Sequence, residues 1–175
     1  MKETVVNFFN LVRWNHALEH GTIHILSRMM PYVSMAGRSN SRGFYIYGNV
    51  PEETLREAVQ EAILRILGGE HQLAIHPNCG TNMISSAVLA AGGTMIATTG
   101  TKRRGLTEQI PAGVLGALMG VVLGQVVGLR LQAKLTTSTS FTSARIGEIQ
   151  RKQVGKRVYY WVAIVYNEHP RLPGG

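Results

Sequence analysis

Residues 14–25 read WNHALEHGTIHI, and this stretch decides how the rest of the chain is interpreted. It holds His16, His20 and His24 at intervals of four, so in an α-helix of about 3.6 residues per turn the three imidazoles share one face. Glu19 precedes His20 and lies at the edge of that face. Two imidazoles one turn apart can bind one metal ion, and an adjacent carboxylate can accept a proton from a metal-bound water. The alternative is an amphipathic helix whose histidines are hydrogen-bonded or solvated.

A second unusual stretch, HPNCGTN, covers residues 76–82. Turn-forming residues separate His76 from Cys79, so we expect a tight turn, and His and Cys at this spacing can chelate zinc. Together with His16 and His20 this pair would form a closed structural site, whereas three of the four plus water would form a catalytic one. The alternative is a simple turn in which His76 caps the next helix and the cysteine is a small buried hydrophobe.

Composition narrows the possible chemistry. All ten acidic residues are glutamate, which argues against Ser-His-Asp triads, EF-hands and magnesium sites held by aspartate. The single cysteine excludes an intramolecular disulfide and a four-cysteine zinc site. The net charge of +8 comes from residues 101–175, which hold eleven Lys/Arg against three Glu, while residues 1–100 hold seven of each. No signal peptide is evident at the start, so we expect the front of the chain to stay in the cytoplasm.

Hydrophobic periodicity and turn residues predict an α+β fold. The expected elements are a helix over 4–30, a loop over 34–43, a strand over 44–47, a helix from Pro51 to Gly68, a second strand over 72–76, and a β-hairpin over 144–166 that turns at Gly155. We expect the hairpin to complete a sheet with the two earlier strands. The predicted division is an α+β domain over 1–81, a membrane hairpin over 82–130 and a basic C-terminal region over 131–175.

Two uncharged segments, 83–99 and 110–129, predict a transmembrane helical hairpin. The second has 20 residues, enough to cross a hydrocarbon core of about 30 Å. Small residues recur in it at every fourth position, and the first segment offers a matching series; the two sets are Ala112, Gly116, Gly120, Gly124 and Gly128, and Ser86, Ala90, Thr94 and Thr98. Such stripes let helices approach closely in lipid, so we also expect the glycines to contact a second copy or a membrane-complex partner. The alternative is a buried helical pair in a soluble core.

The basic residues suggest an orientation and a lipid partner. Basic residues follow the second segment, which places both termini in the cytoplasm; among them are Arg130, Lys134, Arg145, Arg151, Lys152, Lys156 and Arg157. Lys102, Arg103 and Arg104 in the connecting loop conflict with that orientation. The C-terminal hairpin could meet anionic headgroups, and we expect no nucleic-acid partner because no base-reading motif accompanies the charge.

Three motifs carry a family resemblance: HALEHGTIHIL, GRSNSRGFYIYGNVPEE and GGEHQLAIHPNCGTN. With the paired apolar segments that come after them, they resemble an uncharacterised family of small bacterial membrane proteins over residues 13–130. This resemblance implies a location in the bacterial inner membrane and brings no established activity.

A weaker similarity joins the H-x-x-E-H order to the pitrilysin-type inverted-zincin peptidases. It implies that His16 and His20 bind zinc and that Glu19 is the general base. Those peptidases take a third ligand from a later glutamate, for which Glu57, Glu61 and Glu70 are the candidates, all closer in sequence than that pattern expects.

Two functions are compatible with these patterns. In the first, the chain is an integral membrane protein that binds zinc and acts as a metallohydrolase or peptidase, with Glu19 activating water. In the second, it is a non-catalytic small subunit or assembly factor of a larger membrane complex, and the metal site is structural.

Overall fold

The computed structural model describes residues 2–99, 105–155 and 157–167, with side chains from Phe8 onward. The chain divides into two compact units, one made of Met1–Ile75 with Thr137–Gly175 and the other of His76–Thr136. The first unit contains α1 (Lys2–Met29), β1 (Ala36–Asn40), β2 (Gly43–Tyr47), α2 (Glu52–Leu67), a 3-10 helix (His71–Ala74), β3 (Arg145–Val154) and β4 (Arg157–Val165). The second contains α3 (Gly80–Thr99) and α4 (Leu106–Leu131), which continues as a π-helical segment, Gln132–Thr136.

The four strands form one antiparallel sheet in the order β1-β2-β4-β3, so the predicted α+β class is confirmed. Strand β4 pairs with β2 and joins the late hairpin to the early part of the chain. One face of the sheet packs against the helices through alternating buried residues, Phe44, Ile46, Tyr160 and Val162. The Tyr160 hydroxyl donates a 2.8 Å hydrogen bond to the carbonyl of Val50, which ties the sheet to the start of α2.

Two local predictions in this unit are wrong. The expected loop over 34–43 contains β1, because a tight turn after Asn40 folds this polar segment back onto β2 and backbone pairing overrides its weak strand propensity. The Arg42 N–H donates to Asn40 Oδ1 in that turn. The expected strand over 72–76 is the 3-10 helix His71–Ala74, which buries Leu73 and Ala74 after the turn at Gly68 and Gly69.

Helices α1 and α2 cross at Gly21. A Cβ added at this glycine would lie 3.2 Å from Ile66 and 3.3 Å from Ala62, closer than ordinary van der Waals contact. The absence of a side chain therefore brings the two helix backbones together. This contact places the histidine-bearing helix against the segment that comes after α2.

The second unit is the predicted helical hairpin, and its small residues face each other. Gly93 on α3 lies against the backbone of Gly116 on α4, and a Cβ on either would overlap the other helix. Further along α4, three glycines lie in the same way against α3; they are Gly120 against Leu89, Gly124 against Ser86 and Gly128 against Asn82. The glycine stripe is thus filled by α3 of the same chain, and its predicted contact with another protein stays a prediction.

Within the described residues, one helix is long and apolar enough to cross a membrane. It covers Leu106–Thr136, its most apolar window has a mean hydropathy of 2.0, and 28% of that window is buried. The prediction of two such helices is wrong for α3, because its Ser, Thr and Asn residues make it too polar. Lys102, Arg103 and Arg104, which bear on the orientation, lie outside the described residues.

Candidate metal centre

Helix α1 presents polar side chains on two faces. Toward the sheet, Asn15 Nδ2 donates to the carbonyl of Asn40 at 2.8 Å, and the Tyr166 hydroxyl donates to Asn15 Oδ1 at 2.8 Å. Toward the 3-10 helix, His20 and His24 meet the backbone of residues 74 and 75. The first face locks α1 onto the sheet, and the second holds the histidines.

His16 and His20 form the pair predicted from their spacing. Their ring centroids are 4.3 Å apart with an interplanar angle of 63°, as expected for residues one helical turn apart. His20 is buried at 3% exposure, while His16 is partly exposed. One imidazole is therefore fixed in the interior, and its neighbour is partly open to solvent.

The backbone fixes the tautomer of His20. Its Nδ1 lies 2.7 Å from the carbonyl oxygen of Ala74, and because a carbonyl only accepts, Nδ1–H must be the donor. The neutral ring then carries its lone pair on Nε2. Histidines that bind metals almost always donate their other ring N–H in this manner. This tautomer is the one that a metal ligand requires, and it is set by a carbonyl that sequence patterns do not reveal.

His24, the third member of the column, anchors the chain. Its Nε2 lies 2.9 Å from the carbonyl oxygen of Ile75 and donates to it. His20 and His24 together hold two consecutive carbonyls against α1. The next residues, from His76 onward, are therefore attached directly to a segment that the histidine helix positions.

Glu19 is 5% exposed and points toward β1. Its side chain lies against Gly37, where an added Cβ would overlap the carboxyl group. The contact of Gly37 with Glu19 was not predicted from the sequence, although a glycine within a strand often marks a place where other atoms approach the backbone closely. The carboxylate predicted to be the general base is held between helix and sheet.

The expected turn between His76 and Cys79 is present. The Cys79 N–H donates to the carbonyl of His76 at 3.2 Å, and the Asn78 N–H donates to His76 Nδ1 at 3.2 Å. The His76 N–H itself donates to Gln132 Oε1 at 3.0 Å. Cys79 is buried at 7% exposure. Because Nδ1 of His76 already accepts a hydrogen bond, this ring is a less ready ligand than the Cys79 sulfur.

The alternative glutamate ligands have other surroundings. Arg65 donates to Glu61 at 3.0 Å and to both carboxylate oxygens of Glu70, at 3.0 and 2.6 Å. These hydrogen bonds lower the pKa of Glu70 and raise that of Arg65. Glu57 is exposed on α2. Two of the three carboxylates are thus engaged by a cation, which favours Cys79 as the third ligand.

The protein is of a mixed α+β class. Its α+β unit carries a histidine pair on α1 and is interrupted in sequence by a glycine-lined helical hairpin. The chain belongs to the family described as a domain of unknown function, DUF6391, whose model matches residues 11–149. The predicted membership of an uncharacterised family is confirmed to that extent, and the similarity to peptidases stays a prediction.

One curated relative shows how far the similarity extends. An uncharacterized protein of Picosynechococcus sp. is 40% identical over 90 residues, which are 46% of this chain and 44% of the relative. The chain therefore spans less than half the length of that relative. No solved structure matches the chain.

Proposed function

We propose that the protein is a membrane-anchored metal-binding protein in which His16, His20 and Cys79 bind one divalent ion. Two imidazoles and a thiolate suit zinc best among common biological metals. The observation that carries the proposal is the 2.7 Å hydrogen bond from His20 Nδ1 to the Ala74 carbonyl, because it directs the lone pair of the ring to Nε2.

Chain connectivity supports the cysteine as third ligand. His24 holds the carbonyl of Ile75, and Cys79 comes only four residues later. Four residues span at most about 14 Å when fully extended. The turn that closes with the Cys79 N–H on the His76 carbonyl shortens this path further. The thiol is therefore tethered within a short reach of the histidine helix.

Three protein ligands leave one position of a tetrahedral ion for water or for His76. Water there makes a catalytic zinc site, and a fourth protein ligand makes a closed structural one. In a hydrolase, Glu19 would take a proton from the bound water. Since Nδ1 of His76 accepts the Asn78 N–H, we favour the three-ligand arrangement.

A second candidate is the non-catalytic subunit or assembly factor with a structural metal site. The burial of Glu19 against Gly37 favours it, because a general base must reach the water that it activates. Glu19→Gln separates the two candidates. It abolishes hydrolysis and retains metal in the hydrolase, and it changes neither metal content nor partner assembly in the subunit.

We propose that α4 provides the membrane anchor. Its outer face carries large apolar side chains that are more than half exposed in the second unit, among them Leu115, Leu118 and Val122. Lipid is the solvent in which such a surface is stable, and α3 then packs on the opposite, glycine-lined side. The bacterial inner membrane remains the proposed location, with α4 as the anchor.

Elemental analysis of the detergent-purified protein tests the metal site. Wild type is compared with His16→Ala and Cys79→Ser, and His71→Ala, which removes an exposed histidine of the 3-10 helix, is the matched control. We expect one zinc per chain in wild type and control, and none in the two site variants. Zinc lost with His16→Ala but kept with Cys79→Ser points to a Glu or to His76 instead. A wild type purified without chelators that holds no metal refutes the proposal.

A further inference from the structure

The face of the sheet opposite the helices carries a cluster of aromatic side chains. Tyr45 and Tyr47 on β2 lie beside Tyr159 and Trp161 on β4, and we call these four residues the aromatic face. The ring centroids of Tyr45 and Trp161 are 4.7 Å apart, and those of Tyr47 and Tyr159 are 5.6 Å apart and stacked. Tyr47 is 40% exposed. The sequence predicted this sheet without revealing the cluster.

Strand register places basic residues around the aromatic face. Arg38 is opposite Tyr45 and Lys152 is opposite Tyr159, and paired residues of an antiparallel sheet point to the same side. Arg157 precedes Tyr159 by two and shares that side as well. All three are exposed. Arg145, opposite Val165, adds a base and Glu148, opposite Ala163, adds an acid. The charged residues of this face therefore sum to +3; they are Arg38, Arg145, Glu148, Lys152 and Arg157.

We propose that the aromatic face docks on an anionic lipid headgroup surface. Tyrosine and tryptophan favour the boundary between lipid and water, since their rings are apolar and their polar groups remain hydrated. Lysine and arginine beside them are attracted to anionic headgroups. The chemistry of the cluster thus matches a charged membrane surface.

The inference rests in part on the proposed anchor, α4. The first unit is linked to the second by direct peptide bonds, at Ile75–His76 and at Thr136–Thr137. A unit attached to a membrane helix meets lipid at high effective concentration, so a weak contact of this kind becomes populated. Single-stranded nucleic acid is recognised by similar chemistry, with rings stacking on bases and cations on phosphates. The tether favours lipid, and a fluorescence experiment distinguishes the two ligands.

Fluorescence quenching by brominated phospholipid tests this contact in the full-length protein. The chain has two tryptophans, of which Trp14 is buried in the core at 5% exposure and Trp161 lies on the aromatic face. The protein is reconstituted in phosphatidylcholine vesicles with or without phosphatidylglycerol, each carrying the brominated lipid. We expect at least twofold stronger quenching in the anionic vesicles, and loss of that increment in Trp161→Phe and at high salt.

Two neighbouring residues of β3 provide the matched variants. Lys152 shares the side of Tyr159, while Arg151 is opposite the inward-facing Tyr160. Lys152→Gln should reduce the anionic increment severalfold, and Arg151→Gln, which removes the same charge from the other side, should leave it unchanged. Equal quenching in neutral and anionic vesicles overturns the inference. So does quenching of Trp161 by an added oligothymidylate without any effect of lipid.

Flotation after an alkaline wash reports the anchor separately. A protein that floats but shows no anionic increment retains the anchor and refutes the docking face. One that is removed by the wash, yet shows the increment on untreated vesicles, refutes the membrane helix and supports the docking face. A protein that is removed by the wash and also shows no anionic increment overturns both proposals.

Discussion

The two units of this protein bring their elements together by opposite means. In the first unit, large side chains such as Phe44 and Leu18 are completely buried between helices and sheet. In the second, contact depends on absent side chains, since Gly93 lies against Gly116 and Gly120 against Leu89. Side-chain burial removes apolar surface from water, whereas glycine contacts let backbones approach where water is not the solvent. The first mode of packing depends on water as the solvent, whereas the second does not, which is compatible with the proposed membrane anchor α4.

The largest effect is expected from a cavity in the first unit. Phe44→Ala removes a fully buried ring and should lower the free energy of unfolding by about 3–5 kcal/mol. Leu64→Ala, at a position with 70% exposure on α2, is the control and should cost about 0.5 kcal/mol. Chemical denaturation followed by Tyr and Trp fluorescence measures both. If the two variants lost similar amounts of unfolding free energy, the first unit would have no close-packed core around Phe44.

The second largest effect on stability is expected from removal of the metal. If His16, His20 and Cys79 bind zinc, a chelator should destabilise the protein by about 2.7 kcal/mol relative to zinc at a hundredfold excess over its dissociation constant. The change should appear as a lower thermal midpoint in wild type and in His71→Ala, but not in His16→Ala. A wild-type midpoint that ignores the chelator contradicts the proposed site.

A substitution in the hairpin tests the other mode of packing. Gly93→Ala places a Cβ against the Gly116 backbone and should cost about 1–3 kcal/mol through overpacking. Gly92→Ala, one residue earlier, meets no atom within 4 Å and should stabilise α3 by up to about 1 kcal/mol through helix propensity. Thermal unfolding in detergent compares the pair. Equal behaviour of the two variants would show that the helices do not approach at Gly93.

The smallest effect concerns the surface ion pair between Arg65 and Glu70. Because the pKa of Glu70 is lowered in the folded protein, its charge stabilises the fold above the pKa of the unfolded chain, and this contribution is lost as pH falls through the folded pKa. Glu70→Gln should therefore lower the thermal midpoint slightly at about pH 7 and leave it unchanged at any pH below the folded pKa of Glu70. Glu57→Gln, which removes an exposed carboxylate from α2, is the control. A Glu70→Gln deficit that persists in acid would refute this account.

Features set by residue periodicity were predictable from the sequence, whereas features set by tertiary neighbours were not. The four-residue spacing of His16 and His20 required adjacent rings on any helix, and the glycine spacing in α4 required a narrow face. Strand β1 was missed because AGRSN has little strand propensity and pairs only through its turn onto β2. The carbonyl of Ala74 beside His20 could not be foreseen, because backbone atoms leave no trace in side-chain patterns.

The charge and polarity of α3 show a related limit. An uncharged run of seventeen residues suggested a membrane span, yet α3, although 20 residues long, is not apolar enough for one. Its hydroxyls return to backbone carbonyls within the helix or across to α4, as Thr94 does to Ala90 and Gly113. Counting charges alone overlooked the polarity of these uncharged side chains. The polar residues on the side of α3 that faces α4 explain why this helix is less apolar than its lack of charge suggested.

The pairing of β2 with β4 has a consequence for synthesis. Strand β2 ends at Tyr47 and its partner β4 begins at Arg157, so the whole helical hairpin of α3 and α4 is translated between them. At about 5–20 residues per second, a ribosome needs roughly 5–20 s to produce the intervening chain. During that interval β2 has an unpaired edge, which is a site of aggregation or of chaperone binding. Strand β4 can therefore complete the sheet only after the helical hairpin of α3 and α4 has been translated. A nascent chain stalled within the helical hairpin keeps the edge of β2 unpaired and is expected to be recognised as unfinished.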